Sequence, residues 1–269
     1  MRTVVLFATA ARFALLEHAR NRLALVLAGA FVPLWLSLAY VTVPGNPAHF
    51  TLRSVGEVRT DHGNEVIQMI AALNAVTLIT GFMMFAATFS SGRFDRRLAM
   101  AGYPRTHLAA AKLAALTLIA AAVAAYATVI LCLYWSPRQP VPLAFAFFGA
   151  AMTYGVLGVT FGSVLRREVE GMVAVAMISG IDIGLQNPLY SSGAESDLVQ
   201  YMPAFGAVQS AGAAAFSTSW NPLYTAIQWL WFAGAALLAL LTFHRRTRSA
   251  LPRSGRSDPG GEPVPASVP

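Results

Sequence analysis

Lysine and cysteine each occur once in this chain, as Lys112 and Cys132, and only 12% of the residues are charged. One cysteine excludes a disulfide within the chain and a thiolate metal cluster. Its apolar setting reads as that of a small buried hydrophobe. One lysine, preceded by three alanines instead of a Gly-rich turn, excludes a phosphate-cradling P-loop. The five histidines, His18, His49, His62, His107 and His244, are scattered and never reach an HExxH spacing. His49, Asp61, His62 and Glu65 share one polar loop, where a metal site and a solvated loop are both open readings and the ligand spacing favours the second. Gly162-Ser163 has neither the flanking glycines nor a histidine partner for a nucleophilic serine. The chain is therefore read as no enzyme, with no catalytic, metal-binding or cofactor-binding residue of its own.

What is present is apolar surface. Hydrophobic residues make up 56% of the 269 positions, more than one soluble core of this size can hide. They fall into blocks of roughly 20, the length that crosses a bilayer core. The pattern predicts an all-α polytopic membrane protein with six transmembrane helices, at about 23–43, 66–90, 113–135, 142–165, 171–190 and 222–243. Residues 1–247 form one membrane domain in this reading, and the Arg-, Ser-, Pro- and Gly-rich tail 248–269 is expected to be disordered.

Arg2, Arg12, Glu17, Arg20 and Arg22 interrupt the N-terminal stretch, which is not expected to be a cleavable signal peptide. Within residues 3–20, Val4, Phe7, Ala11, Ala14 and Leu15 can share one helical face, with Arg12, Glu17, His18 and Arg20 elsewhere. That suits an amphipathic helix lying in the interface, or else an extension of the first span. A mild kink is expected at Pro33. Between residues 191 and 220 an apolar stretch of about 14 residues, with Met202-Pro203 near its start, is too short to span. It reads as a short re-entrant or interfacial helix.

Sixteen of the nineteen Lys and Arg residues lie in the N-terminal segment, the 91–112 and 166–170 loops and the tail. Only Arg53, Arg59 and Arg138 fall on the other side. By the positive-inside rule both termini of this multi-pass cell-membrane protein face the cytoplasm. The +7 net charge is thus a topology signal, and nucleic acid is not expected as a partner.

Two features point towards function. Asp182 is expected about 12 residues into span five, about 17 Å deep at 1.5 Å per residue. A carboxylate at such a depth must face protein or a wet cavity. Ser179 and Gln186 lie on its face, and together they read either as a polar stripe lining a translocation path or as structural hydrogen-bonding groups. Gly180 and Gly184 lie nearly opposite as a small-residue packing face, and Gly158 and Gly162 are assigned the same role in span four. The second feature is the loop 91–112, with Arg93, Asp95, Arg96, Arg97, Tyr103, Pro104 and Arg105. It reads as a short charged helix, a Gly-Tyr-Pro turn and a helix entering span three, and it either docks a partner or simply carries topology charge.

The layout resembles the permease subunits of the type-two ATP-binding-cassette exporter family. The resemblance rests on the amphipathic N-terminal helix, the six spans, Pro104-Arg105 and Lys112 before span three, Arg166-Arg167-Glu168 before span five, and Met202-Pro203 before span six. Arg93-Phe94-Asp95-Arg96 stands where that family usually has a Glu-Arg-Gly-Thr-like run. The resemblance implies a second permease subunit, as a homodimer or heterodimer, and a separate P-loop ATPase that holds the ATP and Mg. It also implies a coupling role for the 91–112 loop, and an amphipathic drug, antibiotic or lipid as substrate in a lipid surround. A proton- or cation-coupled carrier using Asp182, and a non-transporting immunity or scaffold protein, remain as alternatives.

Overall fold

The computed structural model describes residues 2–20 and 22–248. The predicted tail, from residue 249 on, lies outside the described residues. The chain forms α1 (Arg2–Arg20), α2 (Arg22–Thr42), a hairpin of β1 (Pro47–Leu52) and β2 (Glu57–His62), α3 (Gly63–Met100), α4 (Arg105–Tyr134), α5 (Pro140–Val164), α6 (Glu168–Leu185), α7 (Phe205–Phe216) and α8 (Pro222–Arg248). Two 3-10 turns, Ser192–Glu195 and Asp197–Tyr201, join α6 to α7.

Four helical stretches among the described residues are long and apolar enough to cross a membrane: Gly63–Gly92, Thr106–Tyr134, Pro140–Val164 and Pro222–Arg245. The apolar part of α2, Ala28–Thr42, is shorter, and α6 carries Glu168, Glu170 and Asp182 within its 18 residues. Large apolar side chains face outward along the helices, among them Leu34, Val129, Leu133, Leu230 and Leu237. An apolar exterior of that extent belongs in lipid. Cys132 shares this outward face of α4, so the expectation that it is buried is overturned; neighbouring Leu131 takes the inward position.

The core is built on α3 and α5, which pack along their length. Close approach is possible because α5 presents glycine to the backbone of α3. A Cβ on Gly158 would stand 2.3 Å from the carbonyl oxygen of Gly81, and one on Gly162 would stand 2.8 Å from that of Phe85. The packing role expected of these two glycines is the one they occupy.

The boundaries move where polar chemistry overrides hydropathy. Span two was expected to end near residue 90, but α3 continues unbroken to Met100. Gly92 weakens the helix there without ending it, no proline follows before Pro104, and Asp95 turns inward. The helix stops at a Schellman-type turn, with Gly102 at φ +86° and the Tyr103 N–H donating to the Leu98 carbonyl at 3.0 Å. Pro104 then caps α4, which starts at Arg105, eight residues before the expected 113. Pro fits there because a helix start has spare N–H groups. Helix α6 ends at Leu185, short of 190, where Asn187-Pro188 stops it.

The polar loop between α2 and α3 is a β-hairpin, the one departure from an all-α fold among the described residues. Its register runs from Pro47 opposite His62 to Leu52 opposite Glu57, and Gly56 closes the turn at φ +72°. The alternation in β1 puts Phe50 and Leu52 on one buried face. Phe50 meets the Phe216 ring edge-on at 5.3 Å, and Leu52 lies against Gly212 of α7.

Pro33 lies inside α2 and has no N–H for the carbonyl of Gly29. The Tyr126 hydroxyl of α4 donates to that carbonyl at 2.8 Å. In an apolar surround each freed backbone group needs such a replacement.

Helix α1 packs mainly on α4. Ala11, Ala14 and Leu15 are half-buried and are joined by His18, which is buried, while Phe7, expected on the same face, is exposed. The side chain of Val4 lies outside the described residues.

Candidate functional site

Asp182, Gln186 and Ser179 do share one face of α6, and all three are buried. Gln186 also lines a cavity at the hairpin end of the bundle. Oδ2 of Asp182 accepts from the Tyr154 hydroxyl of α5 and, at 2.9 Å, from the backbone N–H of Ala204. Oδ1 accepts from Gln186 Nε2. Three donors therefore converge on one carboxylate. Ser179 Oγ lies 2.7 Å from Thr77 Oγ1 of α3 and accepts from Asn74 Nδ2 at 3.4 Å. The expected depth also changes. Because α6 ends at Leu185, Asp182 sits one turn from its C-terminus, at the hairpin end of the bundle and not midway.

Ala204 is the N-cap residue of α7, and its own side chain has nothing to cap with. The first amides of a helix need acceptors, and α7 takes them from its neighbours. Asp182 of α6 receives the Ala204 N–H, and Gln228 of α8 receives the Ala207 N–H at 2.9 Å. Gln228 is in turn fixed by donating to Thr153 Oγ1 at 2.6 Å and to the Gly149 carbonyl at 3.2 Å. At the other end, the carbonyls of Ala214 and Ala215 accept from the backbone N–H groups of Gln139 and Arg138, at 2.9 and 3.0 Å. A buried helix of 12 residues thus has both ends satisfied by α5, α6, α8 and the turn before α5. Tyr154 and Gln228 were not singled out in the sequence. Their signal was a lone polar group inside an apolar block, the same signal that marked Asp182.

Gly180 and Gly184 take the opposite face of α6, along a groove it shares with α2 and α3; a Cβ on either would meet no atom within 4 Å. The expected packing face is therefore open within this chain, and the face read as polar is the one that packs.

At the other end of the bundle, the corner between α3 and α4 is organised by Lys112. Its Nζ lies 2.5 Å from Asp95 Oδ2 and 3.0 Å from Ser91 Oγ. The same ammonium sits 5.9 Å from the centre of the Phe243 ring of α8. Asp95, expected as an exposed coupling residue, is instead an internal brace. Arg97 and Pro104 are exposed and Tyr103 is half-buried; the side chains of Arg93, Arg96 and Arg105 lie outside the described residues. Phe94 and Met100 are 60% and 59% exposed, so the corner presents apolar groups as well as charge.

Burial drives the pKa of His18 down to about 4, and the charge of Lys112 adds to the shift. In the unfolded chain the ring takes its proton near pH 6.5. The docked ring therefore contributes its full stability above pH 6.5, and the contribution drains away as pH falls towards 4. The whole effect is on the order of 3 kcal/mol. We expect the protection of α1 amides, taken relative to the intrinsic exchange rate at each pH, to fall between pH 7 and pH 5, and His18→Leu to flatten that dependence. Protection in α1 that is independent of pH in the unaltered protein would remove this account of its docking.

Among the described residues no group of three His, Cys, Asp or Glu side chains could hold a metal ion. His49 and His62 are engaged within the hairpin region, His49 Nδ1 with Thr60 Oγ1 and His62 Nδ1 with the Gly45 carbonyl, each at 2.7 Å. No protein-family model matches the chain, and a search of curated proteins finds no match.

Proposed function

We propose that the chain is the membrane-spanning subunit of an ATP-driven exporter, working with a separate P-loop ATPase and a second permease subunit. In this reading α2 and α6 join the four long apolar helices to make six spans. Helix α1 lies in the interface and α7 is re-entrant. Both termini face the cytoplasm, as the distribution of arginine requires.

The observation that carries the reading is the α3–α4 corner. Helix α3 runs on past its apolar stretch as a stiff rod with Arg93, Arg96 and Arg97, and turns at Gly102 into Pro104-Arg105. The Asp95–Lys112 pair locks the two rods together, while Phe94, Arg97 and Met100 remain exposed. A cationic corner with exposed apolar side chains suits a partner surface that is acidic with an apolar socket. A push on such a corner would travel along α3 into the α3–α5 core. The substrate class that fits the apolar side chains facing outward along the helices is an amphipathic drug, antibiotic or lipid. Proton-coupled carriage through Asp182 draws no comparable support, because its carboxylate is already held by three donors in a closed setting.

The test is gentle purification of the tagged protein from its native membrane, with identification of what accompanies it. We expect a P-loop ATPase, and expect Arg96→Glu combined with Arg97→Glu to release it and abolish ATP-driven transport while leaving the membrane level unchanged. Transport that survives the double reversal would argue against the coupling role.

A further inference from the structure

The apolar stretch of α3 ends at Gly92, and that of α4 begins at Thr106. At that level a groove of about 680 Å³ lies between α1 and the α3–α4 corner. Its size falls in the range of small-molecule sites, roughly 300–1,000 Å³. Phe13 and Leu16 of α1, Phe94 and Leu98 of α3 and Leu108 of α4 make its walls largely apolar. Phe13, Leu16 and Phe94 are exposed, so nothing in this chain covers that part of the wall. Uncovered apolar surface of this kind calls for an apolar neighbour.

Charge selects the neighbour. The groove is lined by two cations, Arg20 and Lys112, and one carboxylate, Asp95. Asp95 is taken up by Lys112 at 2.5 Å. That leaves the Arg20 guanidinium, which is exposed and pairs with no carboxylate among the described residues. The two segments that build the groove are more lopsided still. Residues 1–22 and 91–112 hold eight arginines and Lys112 against Glu17 and Asp95.

We infer that this groove is a binding site for an anionic phospholipid, with its phosphate at Arg20 and the start of an acyl chain along Phe13, Leu16 and Phe94. A soluble anion would leave the apolar wall uncovered. A zwitterionic headgroup would bring a cation of its own into a basic surround. An anionic lipid meets both demands at the depth where the apolar stretches of α3 and α4 end. The inference stands apart from the exporter reading, because it concerns the chain alone and uses Arg20 where that reading uses Arg96 and Arg97.

The probes are palmitoyl-oleoyl phosphatidylglycerol and palmitoyl-oleoyl phosphatidylcholine, which share their chains and differ in headgroup charge. The full chain is released from nanodiscs holding equal amounts of the two, and native mass spectrometry measures the lipid retained. We expect phosphatidylglycerol to be retained in preference, and Arg20→Gln to lower that preference about fivefold. Arg12→Gln removes the same charge from an exposed position on α1 outside the groove, and should leave the preference unchanged. Both arginines are exposed, so both variants should melt with the unaltered protein. Ala10→Trp should displace both lipids by filling the groove. Equal retention of the two lipids, equal losses in Arg12→Gln and Arg20→Gln, or undiminished retention in Ala10→Trp would overturn the inference. So would a lipid-free dimer that Phe13→Ser breaks, which would give the groove to a second copy of the chain.

Discussion

Asp182→Ala should destabilise the protein by about 3–5 kcal/mol and loosen α7 before any effect on transport can be read. The alanine leaves three donors without an acceptor: the Tyr154 hydroxyl, the Gln186 amide and the Ala204 N–H. Each is enclosed, so water cannot readily replace the carboxylate, and each orphan costs roughly 1–3 kcal/mol. Asp182→Asn should do nearly as badly, because its amide adds a fourth donor to a site that supplies only donors. The damage should spread through α7. That helix loses the acceptor at its first turn while keeping the Gln228 contact at Ala207. Thermal unfolding in detergent, with amide exchange over Phe205–Phe216, measures both effects. Tyr154→Phe is the milder companion, expected near 1–2 kcal/mol, since one donor leaves and two stay. If Asp182→Asn melts with the unaltered protein and transport alone is lost, the carboxylate belongs to a path after all.

How far the sequence reveals this structure follows the physical scale of each signal. Apolar blocks of roughly 20 residues register directly as helices, and α2, α5 and α8 begin and end within about three residues of expectation or run on past it by one turn or so. Hydropathy alone misplaces the corner at 91–104, because a charged helix and a charged loop have the same composition. What separates them is the Asp95–Lys112 pair, formed between residues 17 apart in sequence. The hairpin was hidden for another reason. Its alternation covers six residues per strand and becomes decisive only when Phe50 and Leu52 find α7. The polar face of α6 was visible as Ser179, Asp182 and Gln186, yet its use was not. A lone carboxylate in an apolar block demands partners, and its partners, Tyr154 and the Ala204 N–H, are fixed by tertiary packing. The same limit explains the glycines, since a small residue in a span is equally compatible with a crowded contact and with an open face.

That last ambiguity separates Gly158 from Gly184 by experiment. Gly158→Ala should be among the most damaging single-methyl changes in the chain. The added carbon would stand 2.3 Å from the Gly81 carbonyl oxygen and 3.1 Å from the Phe85 backbone nitrogen. Both neighbours are backbone atoms of α3, which cannot step aside as a side-chain tip can. The helices α3 and α5 must therefore separate along their length, and overpacking of this kind costs typically 1–3 kcal/mol or more. Leu→Val-scale repacking nearby cannot recover it, because the obstacle is main chain. Gly184→Ala meets nothing within 4 Å and should leave the melting temperature of the isolated chain unchanged, or raise it slightly through the better helix propensity of alanine. Any loss in Gly184→Ala would then have to arise outside the single chain. Comparing its melt with its self-association in the membrane would tell which: an unaltered melt with weakened association would assign the open Gly180–Gly184 face to a second subunit. The pair of substitutions thus asks of one residue type two different questions, and the geometry on either side of Gly158 makes the first answer the larger.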